Sequence, residues 1–99
     1  MLLTIEQIKE YVVGVVETNL SVRRVLLFGS YARGEQNEKS DVDLIIESDL
    51  QGLAFFGVVG KLAEAMPVKT DVFELREVIK PSSMFDAIIK DGIPIYERQ

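Results

Sequence analysis

Asp41 and Asp43 stand two residues apart in the run Ser40-Asp41-Val42-Asp43-Leu44. On an extended strand, side chains two apart share a face and lie about 6.5–7 Å from each other, so both carboxylates project together while Val42 and Leu44 project the other way. Like charges held that close resist joint ionisation unless a cation lies between them. Magnesium, a hard ion that takes oxygen ligands and keeps positions for substrate phosphates, suits such a pair. A third acid, Asp71, interrupts the strand-forming run Thr70-Asp71-Val72-Phe73 where an apolar residue is expected. If its strand lies beside that of Asp43, Asp71 joins the site, either to orient or deprotonate an attacking hydroxyl or to complete a second metal position.

Upstream, Gly29-Ser30 ends the run Val25-Leu26-Leu27-Phe28. Glycine permits close backbone approach, and free N–H groups with the serine hydroxyl can receive a phosphate. Gly29 and Gly34 have the spacing of a Walker-type loop, but Glu35-Gln36 follow where Lys-Ser or Lys-Thr is required, and Gly-x-Gly-x-x-Gly is absent. Taken singly, each piece has a plainer reading. Asp-x-Asp at a strand start is more often a solvated strand end, Gly29-Ser30 a capped turn, Arg33 a surface charge, and Asp71 an exposed acid or a partner of Lys69.

The chain has neither cysteine nor histidine. Disulfides, thiolate and imidazole metal sites and histidine acid–base chemistry are therefore excluded, and any reaction rests on carboxylates and hydroxyls. Sixteen acids against eleven bases give a net charge of −5, which disfavours unaided binding to nucleic acid and suits a basic protein partner or plain solubility. No run of eighteen apolar residues occurs, and Met1-Leu2-Leu3-Thr4-Ile5-Glu6 has no basic flank, so the expectation is a cytoplasmic protein with no membrane contact. Ninety-nine residues suffice for one domain, residues 1–99, with one core and no second lobe.

The elements that must position these residues follow from period and punctuation. Thr4 with Gln7 has capping-box spacing, and Ile5, Ile8, Tyr11, Val12, Val15 and Val16 recur at helical spacing, predicting a helix from Ile5 to Glu17. Val22 to Phe28 reads as a buried strand, residues 30–34 as a loop opening with one helical turn, and Asp41 to Glu47 as a second strand with an open and a buried end. Leu53, Phe56, Val59, Leu62, Ala63 and Met66 form a second helical stripe ended by Pro67, with Phe55, Phe56, Val58 and Val59 mostly in the core. Gly57 and Gly60 each lower that helix's propensity by about 1 kcal/mol relative to alanine. Val68 to Leu75 reads as a third strand. Ser82 or Ser83 caps a last helix that stops at Asp91-Gly92, and Ile93-Pro94-Ile95-Tyr96 is an edge strand, because proline cannot donate to a ladder. The expected class is α/β (α+β), a mixed β-sheet flanked by helices.

Gly29-Ser30-Tyr31-Ala32-Arg33-Gly34 followed by Ser40-Asp41-Val42-Asp43-Leu44, with Asp71 downstream, resembles the signature of the minimal nucleotidyltransferases of the polymerase-beta-like superfamily. The resemblance spans nearly the whole chain; Pro67 replaces the turn glycine often seen in relatives before the third acid. It implies the polymerase-beta-like nucleotidyltransferase fold and magnesium-dependent transfer of a nucleoside monophosphate, usually adenylate from ATP, to a hydroxyl. Carried over by position, Gly29, Ser30 and Arg33 hold the nucleotide, Asp41 and Asp43 hold one or two Mg2+ ions, and Asp71 serves the acceptor hydroxyl or a metal. The resemblance also implies an antitoxin paired with a HEPN-domain toxin, which relatives inactivate by adenylylating a tyrosine. The alternative is an antitoxin that neutralises its partner by binding alone, with the site catalytically silent.

Overall fold

The computed structural model describes residues 1–78, 86, 88 and 90–98. Thr4 opens the first helix, α1 (Ile5–Val16), through a complete capping box: its Oγ1 accepts from the Gln7 amide at 3.0 Å, and Gln7 Oε1 accepts from the Thr4 amide at 2.8 Å. Ile8, Val12 and Val16, spaced by four, are fully buried, whereas Tyr11 of the predicted stripe is exposed.

Four strands follow: β1 (Val22–Phe28), β2 (Val42–Ser48), β3 (Thr70–Glu74) and β4 (Ile93–Glu97). They form one sheet in the order β3-β2-β1-β4, with β1 antiparallel to both β2 and β4, and β3 parallel to β2. The sheet is therefore mixed, as expected, and β4 with Pro94 is an edge. Between β1 and β2 lies one helical turn, α2 (Ser30–Arg33), and α3 (Gly52–Ala65) carries the chain from β2 back to the start of β3. A short helix, α4 (Leu75–Val78), follows β3 directly.

Strand alternation divides the sheet into two packed faces. Val25, Leu27, Val42, Leu44 and Ile46 meet α1 and α3 through Ile8, Val12, Val16, Phe55, Val58 and Leu62. Leu26, Phe28 and Ile45 point the other way, against Val78 and Ile88 with Phe73 and Leu75 alongside. Asp41 and Asp43 share the parity of Ile45 and so belong to this second face, at its open end.

Several expectations need correction. In α3 the buried line is Phe55, Val58 and Leu62, while Leu53 and Phe56 are 89% and 66% exposed. Phe56, expected mostly in the core, and Leu53 of the predicted stripe are surface residues; a helix apolar around most of its circumference offers two competing stripes, and packing on α1 selects one. β3 is shorter than residues 68–75. Thr70 Oγ1 donates to the Val68 carbonyl at 3.0 Å in a local turn before the strand, and Leu75 already belongs to α4. β2 begins at Val42, leaving Asp41 just outside the ladder. The predicted caps Ser82 and Ser83 lie outside the described residues. Asp86, Ile88, Lys90 and Asp91 are helical, and the Gly92 amide closes that helix on the Ile88 carbonyl at 2.8 Å, at the predicted stop.

Candidate active site

β1 is followed by Gly29, with φ +76° and ψ −154°, a conformation that side chains disfavour. This bend turns the chain into α2, where the Gly29 carbonyl accepts the amides of Ala32 and Arg33 at 3.1 and 3.2 Å. Gly34, left-handed at φ +72°, ends the turn. Tyr31 points inward and is 1% exposed, its hydroxyl accepting the Leu3 amide at 3.4 Å. Tyr31 thus anchors the turn to the N-terminal segment, and Ser30 and Arg33 are carried on its outer side.

The bend places Gly29 directly against Asp43. Phe28 is the register partner of Asp43 across β1 and β2. A Cβ at Gly29 would lie 2.3 Å from Asp43 Oδ2, so a side chain there would push this carboxylate from its position. On the other flank, Asp43 is the register partner of Asp71 across parallel strands about 4.8 Å apart. Residues paired in this way present side chains to one face, so the condition set by the sequence for Asp71 is met: its strand does neighbour that of Asp43.

Asp41, one residue before β2, is paired with Lys69, Nζ to Oδ2 3.5 Å. The lysine that the plainer reading offered to Asp71 is therefore engaged with Asp41. Burial raises the pKa of Asp43 above the ordinary carboxylate value; the charges of Asp71 and Asp41 raise it further, against the opposing charges of Arg33 and Lys69. Arg33 is exposed and held by Glu35, Nε to Oε1 2.9 Å, within the field of Asp91 and Asp43. Lys69 and Asp91 were not identified as site residues from sequence. Their only signal was position, Lys69 two residues before Asp71 and Asp91 at the helix stop before β4.

The donor set suits magnesium. The charges of neighbouring carboxylates that oppose ionisation of Asp43 are relieved by a divalent cation, and magnesium commonly takes one or two carboxylates and completes its shell with phosphates and water. Among the described residues no three acids converge as a ready-made metal site, so Asp41, Asp43 and Asp71 do not together form one. A groove of about 610 Å³ beside α3, β3 and α4 is lined by Phe55, Phe56, Phe73 and Arg76 and contains none of these aspartates. The carboxylates occupy the open end of the sheet instead. Among the described residues no helix is long and apolar enough to cross a membrane.

The chain is similar to several known proteins. The chain is 31% identical over 85 residues to a candidate protein adenylyltransferase of Methanocaldococcus jannaschii, covering 79% of this chain and 85% of that protein. A second protein of that organism, named in the same way, is 34% identical over 81 residues, covering 80% and 82%. A crystal structure of a toxin–antitoxin complex with AMP-PNP superposes with a TM-score of 0.71 at 24% identity, covering 92% of this chain and 74% of that one. The MNT antitoxin in complex with a tri-AMPylated HEPN toxin of Shewanella oneidensis does so at 0.67 and 20%, covering 97% and 75%. At these identities the structural likeness shows a shared fold. Residues 6–99 match the family described as Polymerase beta, Nucleotidyltransferase, and the chain belongs to that family.

Proposed function

We propose that this protein is a magnesium-dependent nucleotidyltransferase that moves the adenylyl group of ATP to a hydroxyl of a partner protein. The observation that carries the proposal is the position of Asp43, against Gly29 of the turn on one side and in register with Asp71 of the neighbouring strand on the other. In this reading Gly29 and Ser30 receive the triphosphate, Asp41 and Asp43 hold Mg2+, and Asp71 orients the acceptor hydroxyl and takes its proton. The bound ion would supply charge neutralisation at the α-phosphate and at the departing pyrophosphate. The acceptor oxygen forms a bond to the α-phosphorus, the α–β phosphoanhydride bond breaks, and pyrophosphate leaves. The scheme uses no covalent intermediate; the residues named bind, align and hold the proton.

The partner proposed is a HEPN-type toxin accepting the adenylyl group on a tyrosine, with this chain as the antitoxin. Support comes from the structural relatives, which include an MNT antitoxin bound to an AMPylated HEPN toxin, and from the M. jannaschii relatives named for adenylyl transfer to protein. The net charge of −5 favours a protein acceptor over nucleic acid.

The test incubates the protein with magnesium and a lysate of its source, with ATP labelled at the α or the γ phosphate, and compares wild type with Asp43→Asn. Transfer of the α label to one protein by wild type alone is expected. Transfer of the γ label would make the protein a kinase. Transfer of neither label would leave an antitoxin acting by binding.

A further inference from the structure

Lys69 lies outside the motif segments. It immediately precedes β3, and its carbonyl accepts the Val42 amide at 3.0 Å, which sets Lys69 beside Asp41 at the open end of the β2–β3 pair. Its ammonium is 3.5 Å from Asp41 and also acts on Asp43. The Lys69 side chain is 73% exposed and that of Asp41 38%, so the pair contributes little to folding and is easily exchanged. A lysine of so little structural value nonetheless occupies a carboxylate that the nucleotidyltransferase reading gives to a metal. Arg33 acts on Asp43 from α2. The carboxylates are thus flanked by cations from two separate elements, one beside the turn and one at the entrance to β3.

Resting on that reading, we infer that Lys69 is a further nucleotide-binding residue, which neutralises Asp41 in the metal-free protein and turns to the phosphates of the nucleotide when a divalent cation takes its place. Two physical facts carry the exchange. A divalent ion on Asp41 attracts the carboxylate more strongly than an ammonium does and repels the ammonium. The lysine stem is flexible and its three donors are not tied to one direction, so the displaced charge can follow the anion that arrives with the metal. Lys69 would then share with Arg33 the negative charge of the triphosphate that a carboxylate-bound metal leaves unneutralised.

The test uses the full chain as wild type, Lys69→Gln and Lys69→Arg, with folding of each checked by thermal unfolding. Calorimetry measures binding of a non-hydrolysable ATP analogue with Mg2+, and electron paramagnetic resonance measures binding of Mn2+ alone. Loss of one charge-assisted phosphate contact should weaken analogue binding by roughly tenfold in Lys69→Gln, and Lys69→Arg should recover most of it. Mn2+ alone should bind Lys69→Gln at least as tightly as wild type, because its competitor for Asp41 is gone. Analogue binding by Lys69→Gln equal to that of wild type would overturn the assignment. So would a parallel loss of Mn2+ binding, which would make Lys69 a prop for Asp41 and nothing more. A wild type that binds Mn2+ but no analogue would overturn the nucleotide reading itself, and Lys69's role with it.

Discussion

Asp43 Oδ2 occupies the space in which a side chain on Gly29 would have to stand, 2.3 Å from the position of its Cβ. Gly29 and Asp43 come from different strands, so the first glycine of the turn and the second acid of the Asp-x-Asp pair are fitted to each other. Gly29→Ala should both strain the backbone at φ +76° and push the carboxylate out of line. Displacing a catalytic group by about 1 Å can cost about a hundredfold in rate. Adenylyl transfer should therefore fall by about that factor, measured with α-labelled ATP. Gly34→Ala is the control: φ is +72° but nothing lies within 4 Å of the new Cβ, so it should lose about 1 kcal/mol of stability and keep most of its transfer.

The raised pKa of Asp43 makes a prediction about stability. Folded Asp43 binds its proton more tightly than the unfolded chain does. Its ionisation therefore costs stability that is fully lost above the folded-state pKa and recovered as pH falls through the carboxylate range. Asp43→Asn should raise the melting temperature of the metal-free protein at pH 7. The advantage should shrink as the pH is lowered. Mg2+ should stabilise wild type more than the variant. Thermal unfolding across pH, with and without the metal, checks all three.

Phe55 and Phe56 are neighbours with opposite fates, 8% and 66% exposed. Phe55→Ala should cost about 3–5 kcal/mol, as for other buried phenylalanines. Phe56→Ser should change stability by less than about 0.5 kcal/mol, as for surface substitutions. Urea denaturation of the two variants distinguishes this packing from the stripe that the sequence pattern favours.

Arg98 ties the end of the chain back to α1. Its guanidinium donates to the carbonyls of Glu17 at 3.0 Å and of Asn19 and Val22 at 3.3 Å. α1 has no basic residue in its last turn, so Arg98 supplies from beyond β4 the positive charge and donors that a helix C-terminus favours. Arg98→Ala should lose about 1–3 kcal/mol in denaturant unfolding, and Arg98→Lys should recover only part, lacking the planar fork.

Much of this architecture is local and was open to reading from the residues. Thr4 and Gln7 make their capping box through bonds three residues apart, and β1 ends at Phe28 as its apolar run does. Asp91-Gly92 stops its helix through a bond between Gly92 and Ile88. The α3 face was not open to reading in the same way. Phe55-Phe56 and Val58-Val59 are adjacent apolar pairs, and a period of 3.6 fits either member. Lys69 was ambiguous for a related reason: spacing offered it to Asp71, but the register of β2 on β3 gives it to Asp41.

By itself the sequence determined that Asp41 and Asp43 share a face, because a strand's period of two is set by its own backbone, and that Gly29 permits a turn after the first strand. Tertiary structure alone decided that β3 lies parallel to β2 with Asp71 in register with Asp43, and that Asp43 fills the space beside Gly29. Pairing and register depend on contacts between segments tens of residues apart, which are settled by burying both faces of the sheet at once and not by any one segment's pattern.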